Sequence, residues 1–224
     1  MTTPDATGRV LVKVCGLVDV SNADDVVGTG VDAVGLNFVP TSRRRVDAEV
    51  AAQIAGAVRG RALVVAVVAD VDLGALASLH RAVGFDVVQL HGRETPDDAA
   101  NVARAFGLPV WKAIAVGDAE DVVAAARFGT TRILYDARAG SGSGGTGTSF
   151  DWTLLRAHPP SSPPFVLAGG LRPENVGEAV RVASPWMVDV ASGVETAGRG
   201  PGWKDLDLVR RFVDEARRAK MGAP

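Results

Sequence analysis

The sequence predicts an α/β protein folded as a single (β/α)8 barrel. Short β-branched runs alternate with segments of helical period along the chain, which implies a parallel sheet with helices outside it. Eight such runs are present, the number at which a parallel sheet closes on itself. Chemically capable side chains also collect at the C-terminal ends of the runs, where this fold places its sites.

Strands are expected at 10–15 (VLVKVC), 33–38 (AVGLNF), 62–68 (ALVVAVV), 86–90 (DVVQL), 109–114 (PVWKAI), 132–136 (RILYD), 165–169 (FVLAG) and 186–190 (WMVDV). The segments between them, from SNADDVVGTG through VDAEVAAQIAGAV, VDLGALASLHRAV, TPDDAANVARAFG, DAEDVVAAARFG and FDWTLLRAH to RPENVGEAVRVA, are expected to be helices. Most open with Asp, Ser, Thr or Pro and several end in Gly, as helix caps do. WKDLDLVRRFVDEARRAK supplies the eighth helix. An open doubly wound sheet is the alternative, but the turn after the first strand, CGLVDVSNA, lacks the G-x-G-x-x-G spacing. Residues 1–9 are polar and are expected to be a flexible tail, leaving 10–224 for the barrel.

The chain has 224 residues, 47% of them hydrophobic and 22% charged, which suits one sizeable core. A net charge of −2 with scattered Lys and Arg gives no basic stripe, so no nucleic-acid or membrane partner is expected. Cys15 is the single cysteine, so no intrachain disulfide can form, and a cytoplasmic location is expected. The N-terminal residues lack the apolar stretch of a secretion signal. The most apolar segment, 62–79, is interrupted by Asp70 and Asp72 and reads as strand, turn and helix.

Function is expected at Cys15-Gly16, Phe38 to Pro40, Ala69-Asp70, Gln89 to Gly92, Asp136, Gly169-Gly170 and Asp189 to Gly193, where strands end. The glycine pair Gly169-Gly170 removes side chains where packing would normally want them. An anion can then approach the backbone, beside a helix start that offers free N–H groups. Phosphate is therefore expected between Gly169-Gly170 and Ser192-Gly193, after strands seven and eight, where this fold commonly binds it. The glycine-rich loop 137–149 after Asp136 is far longer than its neighbours and reads as a mobile lid.

Taken together and in order, VKVCGL, DVVQLHG, GGTGTSFDW, LAGGLRPENV and VDVASGVE resemble the phosphoribosylanthranilate isomerase family, from about strand one to the final helix. The resemblance implies an Amadori rearrangement of N-(5-phosphoribosyl)anthranilate to the corresponding 1-deoxyribulose phosphate in tryptophan biosynthesis, without metal or organic cofactor. It implies Cys15 as the base, Asp136 as the acid and Arg44 as the partner of the anthranilate carboxylate. Chain departures from the family pattern are Thr148 for a Lys in the sixth loop, Thr41 for a Lys and Arg45 for an aromatic after strand two, and a longer link at 196–205. A monomer or weak homodimer is expected. A sister isomerase of histidine biosynthesis, or an enzyme serving both substrates, is one alternative, although that relative carries Asp where this chain has Cys15. A catalytically silent sugar-phosphate-binding barrel is another.

The remaining candidates follow from strand geometry. Pleat alternation puts Lys13 and Cys15 on one face, and an ammonium beside the thiol favours the thiolate, so Lys13 is expected to tune Cys15. Asp189 either binds ribose hydroxyls or pairs with Lys13. Gln89 and His91 are expected to hydrogen-bond within the barrel mouth or to ligand, and His80 and His158 to lie on the surface. A one-residue shift of the loop would exchange Arg44 with Arg43 or Arg45.

Overall fold

Every expected strand forms in the computed structural model, which describes residues 8–137 and 150–221. The strands are β1 (Leu11–Cys15), β2 (Ala33–Asn37), β3 (Leu63–Val68), β4 (Val87–Leu90), β5 (Val110–Val116), β6 (Arg132–Ala137), β7 (Val166–Leu167) and β8 (Met187–Val190). All pairings are parallel, and β8 pairs with both β7 and β1, so the sheet is a closed barrel in sequence order. The α-helices are α1 (Val20–Gly28), α2 (Ala48–Val58), α3 (Leu73–Val83), α4 (Pro96–Phe106), α5 (Ala119–Ala124), α6 (Val176–Ala183) and α7 (Leu206–Met221). Local chemistry sets their starts. Asp19, Asp47, Asp72, Thr95 and Asp118 each accept an N–H of the first turn, with a reciprocal capping box at Thr95/Asp98 and at Asp118/Asp121.

Two expectations are corrected. The connection between β6 and β7 forms no α-helix among the described residues, only a 3-10 turn at Trp152–Ala157. Asp151 caps it, but Pro159 and Pro160 follow at once, and prolines that cannot donate leave no length for an i to i+4 ladder. Strand seven stops at Leu167 instead of 169, because Gly169 (φ +87°) and Gly170 (φ +64°) turn out of the extended region. Ala137, the first residue of the expected lid 137–149, ends β6, whereas the rest of that lid, 138–149 with Thr148, and residues 1–7 of the tail lie outside the described residues.

Apolar burial divides into two layers. One lies between the sheet and its helices, including Val12, Val14, Leu36, Ile54 and Phe212. The other fills the barrel interior with Ala33, Val65, Val87, Trp111, Leu134, Val166, Ala168 and Met187. At the strand-start end, Trp186 meets Trp111 edge-on at 6.0 Å, and the Arg132 guanidinium lies 4.3 Å from the Trp186 ring. This packing plugs one end of the barrel. The cavity is consequently at the other, where the strands end.

Candidate active site

A cavity of about 520 Å³ opens at the C-terminal mouth of the barrel. Its wall includes Cys15 from β1, Arg44 after β2, Gln89 and His91 at the end of β4, and Asp136 of β6. Gly169-Gly170 after β7 and Asp189 and Ser192 around the end of β8 complete the ring. The thiol and the Asp136 carboxyl therefore face one space. Lys13 and Gly193 lie off the wall: Lys13 is fully buried beneath it, and Gly193 packs so closely on Leu171 that a Cβ would overlap the Leu171 carbonyl.

Strand register explains the buried cation. Lys13 and Asp189 are direct partners across β1 and β8, and Lys13 Nζ donates to Asp189 Oδ2 at 2.8 Å. Burial works against the ammonium, but the charges of Asp189 and Cys15 outweigh it and raise the Lys13 pKa. Of the two expectations for Asp189, pairing with Lys13 is what this structure contains. Its second oxygen, Oδ1, is buried without a hydrogen-bond partner.

Cys15 is half-buried and lies opposite Gly35 in the β1–β2 register. A side chain at Gly35 would put its Cβ 2.6 Å from the sulfur and 3.1 Å from Lys13 Nζ, so the glycine makes room for both groups. Burial pushes the thiol pKa up, and Lys13 offsets this only in part because Asp189 opposes it. Lys13 acts on the thiol in the direction of the thiolate, but burial outweighs it and the ammonium is already half of an ion pair.

Asp136 sits at the end of β6, where Ala137 N–H donates to its Oδ1 at 2.8 Å. Burial raises its pKa, against the opposing influence of His91, and the charge of Asp189 adds to the rise. His91 Nε2 is 3.8 Å from Asp136 Oδ2, and Gln89 Nε2 is 3.2 Å from His91 Nδ1. With that amide as donor, the imidazole carries its proton on Nε2, toward Asp136. Burial lowers the His91 pKa, Asp136 notwithstanding, which favours the neutral ring. Gln89 Oε1, like Asp189 Oδ1, is a buried acceptor without a partner.

A third group of charges borders the mouth. Arg44 donates to Glu195 through Nε at 2.6 Å and Nη2 at 3.0 Å, and Lys204 Nζ reaches Glu195 Oε1 at 3.2 Å. Among the described residues, no group of three or more His, Cys, Asp or Glu is arranged to hold a metal ion. No helix among them is long and apolar enough to cross a membrane.

Residues 12–215 match the family model for N-(5'-phosphoribosyl)anthranilate (PRA) isomerase. The chain belongs to this family. It is 44% identical over 211 residues to the N-(5'-phosphoribosyl)anthranilate isomerase of Rhodopseudomonas palustris (strain BisA53), covering 92% of this chain and 95% of that relative. Among solved structures it is similar to a phosphoribosyl anthranilate isomerase in complex with reduced 1-(o-carboxyphenylamino)-1-deoxyribulose 5-phosphate. That match has a TM-score of 0.80 and 32% identity, over 93% of this chain and 99% of the other. Monomers generated from the dimeric enzyme of Thermotoga maritima match with a TM-score of 0.82 and 32% identity, again over 93% and 99%.

Within this member of the phosphoribosylanthranilate isomerase family, the structure gathers nine of the eleven sequence-expected site residues onto one cavity and leaves Lys13 and Gly193 just outside it. Arg44 lines the cavity, whereas Arg43 and Arg45 are exposed. The expectation that His80 and His158 are surface residues is corrected. His80 packs half-buried with its ring centroid 4.5 Å from that of Phe85, and His158 Nδ1 is hydrogen-bonded to the Tyr135 hydroxyl at 2.9 Å. Gly35, Glu195 and Lys204 were not legible as site residues. A glycine inside a β-branched strand was the available sign for Gly35, and the place of Glu195 at the end of the motif VDVASGVE was the sign for it; nothing local distinguishes Lys204 from surface charge.

Proposed function

We propose that this chain rearranges N-(5'-phosphoribosyl)anthranilate to 1-(2-carboxyphenylamino)-1-deoxyribulose 5-phosphate, with Asp136 as acid and Cys15 as base. The observation that carries the assignment is that these two groups, on strands from different sides of the barrel, line one cavity. Asp136 gives its proton to the ribose ring oxygen; the C1'–O bond breaks as the anilino nitrogen forms a Schiff base. In its thiolate form Cys15 then takes the proton from C2', leaving an enolamine; protonation at C1' and loss of the enol O–H proton give the ketone. Burial of Asp136 supports the acid role, because a carboxyl with a raised pKa holds its proton nearer neutrality.

In the same proposal, main-chain N–H groups of Gly169, Gly170, Ser192 and Gly193 hold the phosphate. Arg44 receives the anthranilate carboxylate. The unpartnered acceptors Asp189 Oδ1 and Gln89 Oε1 receive hydroxyl or amine donors of the substrate, and Lys13 keeps Asp189 in place. His91 supports the Asp136 carboxylate once its proton has left. We also place the chain in the cytoplasm, since its one cysteine is used as a free thiol; targeting of a tagged copy to an oxidising compartment with no loss of activity would argue against a requirement for that location.

The test is isomerisation of freshly prepared phosphoribosylanthranilate, followed by loss of its fluorescence. Cys15→Ser and Asp136→Asn should each lower kcat by about 100-fold or more while still binding inorganic phosphate. Wild-type rates in both variants would remove these residues from the chemistry.

A further inference from the structure

Resting on the assignment of Arg44 to the ring carboxylate, we infer that Glu195 is a positioning residue that sets the preference for a carboxylate-bearing aromatic by holding Arg44 in one pose. Glu195 follows a one-turn helix, Ser192–Val194, after β8. Its carboxylate accepts from Arg44 Nε (2.6 Å) and Nη2 (3.0 Å), from Gly202 N–H (2.7 Å) and from Lys204 Nζ (3.2 Å).

The acceptor is itself anchored. Lys204 is buried, and its Nζ also donates to Ala191 O at 2.9 Å. Its main chain is clasped by Asn22 of α1, whose Nδ2 donates to Lys204 O at 2.9 Å and whose Oδ1 accepts Lys204 N–H at 2.8 Å. Glu195 therefore cannot follow Arg44; Arg44 has to come to Glu195. On its other side the Arg44 stem rests against Gly16, where a Cβ would come within 2.5 Å of Arg44 Cδ. The stem and one guanidinium edge are thus both fixed beside Cys15.

The other edge, Nη1 with the second N–H of Nη2, presents parallel donors, which is the geometry a second carboxylate can use in fork-to-fork fashion. Charge agrees with this. Arg44 and Lys204 share the single carboxylate of Glu195, so the cluster is one anion short at the cavity wall. Fixing the guanidinium in advance also removes the loss of rotamer freedom that a mobile arginine would incur on binding.

The experiment compares phosphoribosylanthranilate with its analogue lacking the ring carboxylate, on wild type, Glu195→Gln and Arg44→Met. Glu195→Gln keeps the shape and one acceptor but loses the charge. It should raise KM for phosphoribosylanthranilate by about 10-fold or more, with kcat within about threefold. Kinetics on the analogue and inhibition by inorganic phosphate should stay at wild-type values. Unchanged KM in Glu195→Gln, while Arg44→Met loses discrimination between the two substrates, overturns the role of Glu195 and leaves that of Arg44 standing. Wild-type discrimination in Arg44→Met overturns the carboxylate assignment itself, and the role of Glu195 with it. Should Glu195→Gln fail to fold, Glu195→Asp, which keeps the charge but shortens the reach, is measured instead: raised KM supports the inference and wild-type KM ends it.

Discussion

Lys13 and Asp189 form an ion pair that is almost completely withdrawn from water, with the two side chains 0% and 8% exposed. Such a pair contributes little over an apolar replacement, but removing one partner strands the other charge. Lys13→Met should accordingly lower unfolding free energy by about 3–5 kcal/mol in urea titrations, with much of the loss recovered in Lys13→Met/Asp189→Leu. A loss below about 1 kcal/mol in the single variant would show that Asp189 finds another partner or takes up a proton. Pleat alternation alone places Lys13 inward, and so the residue was legible in the sequence. Its partner was legible only as one of two alternatives for Asp189, since 176 residues separate the two and only closure of β8 onto β1 makes them neighbours. The thiol shows the same division: Cys15 was legible by motif, whereas its raised pKa depends on burial that no local pattern reports.

At the scale of elements, the segment after β8 joins parts of the chain that are remote in sequence. Glu195 reaches Arg44 after β2, and Lys204 reaches Asn22 of α1. Hydrogen bonding and charge from Arg44, Lys204 and Gly202 outweigh burial and bring the Glu195 pKa from 4.5 down to about 2. A depressed carboxylate pKa stabilises the folded chain fully above its unfolded value, and that contribution is lost as pH falls through the folded one. Unfolding free energy should thus decline between about pH 4.5 and 2 by on the order of 3 kcal/mol from this group. Glu195→Gln should remove that part of the acid dependence; chemical denaturation at pH 5 and at pH 3 reads the difference. An equal slope in both proteins would mean that the clamp does not stabilise the fold. Element types were largely legible because caps and periods are local. The Trp152–Ala157 turn was not, since its six residues carry a helical pattern that the following prolines cut short.

For the molecule as a whole, apolar surface is well covered: among the described residues Leu73 and Val123 are the large hydrophobic side chains that are exposed, and they stand on separate helices. Among the described residues no broad apolar face is therefore offered to a second copy. We propose that the chain is a monomer or a weak homodimer, in contrast to the dimeric relative from Thermotoga maritima. Light scattering at about 1 and 100 μM should give the mass of one chain at the lower concentration. A concentration-independent dimer would contradict this and would point to a polar interface.

By itself the sequence determined the closed barrel, and through strand-end position and family motifs it nominated the mouth that carries the candidate site and the residues proposed as acid, base and phosphate ligands. These depend on alternating period, on strand-end position and on short motifs, all of which are local. Tertiary structure alone decided which charges neutralise one another: Lys13 with Asp189, Arg44 and Lys204 with Glu195. It also decided that burial outweighs the Lys13 charge at the thiol. The physical reason is that Coulomb attraction and desolvation depend on distance through space and on local packing, and barrel closure sets both between residues far apart in the chain.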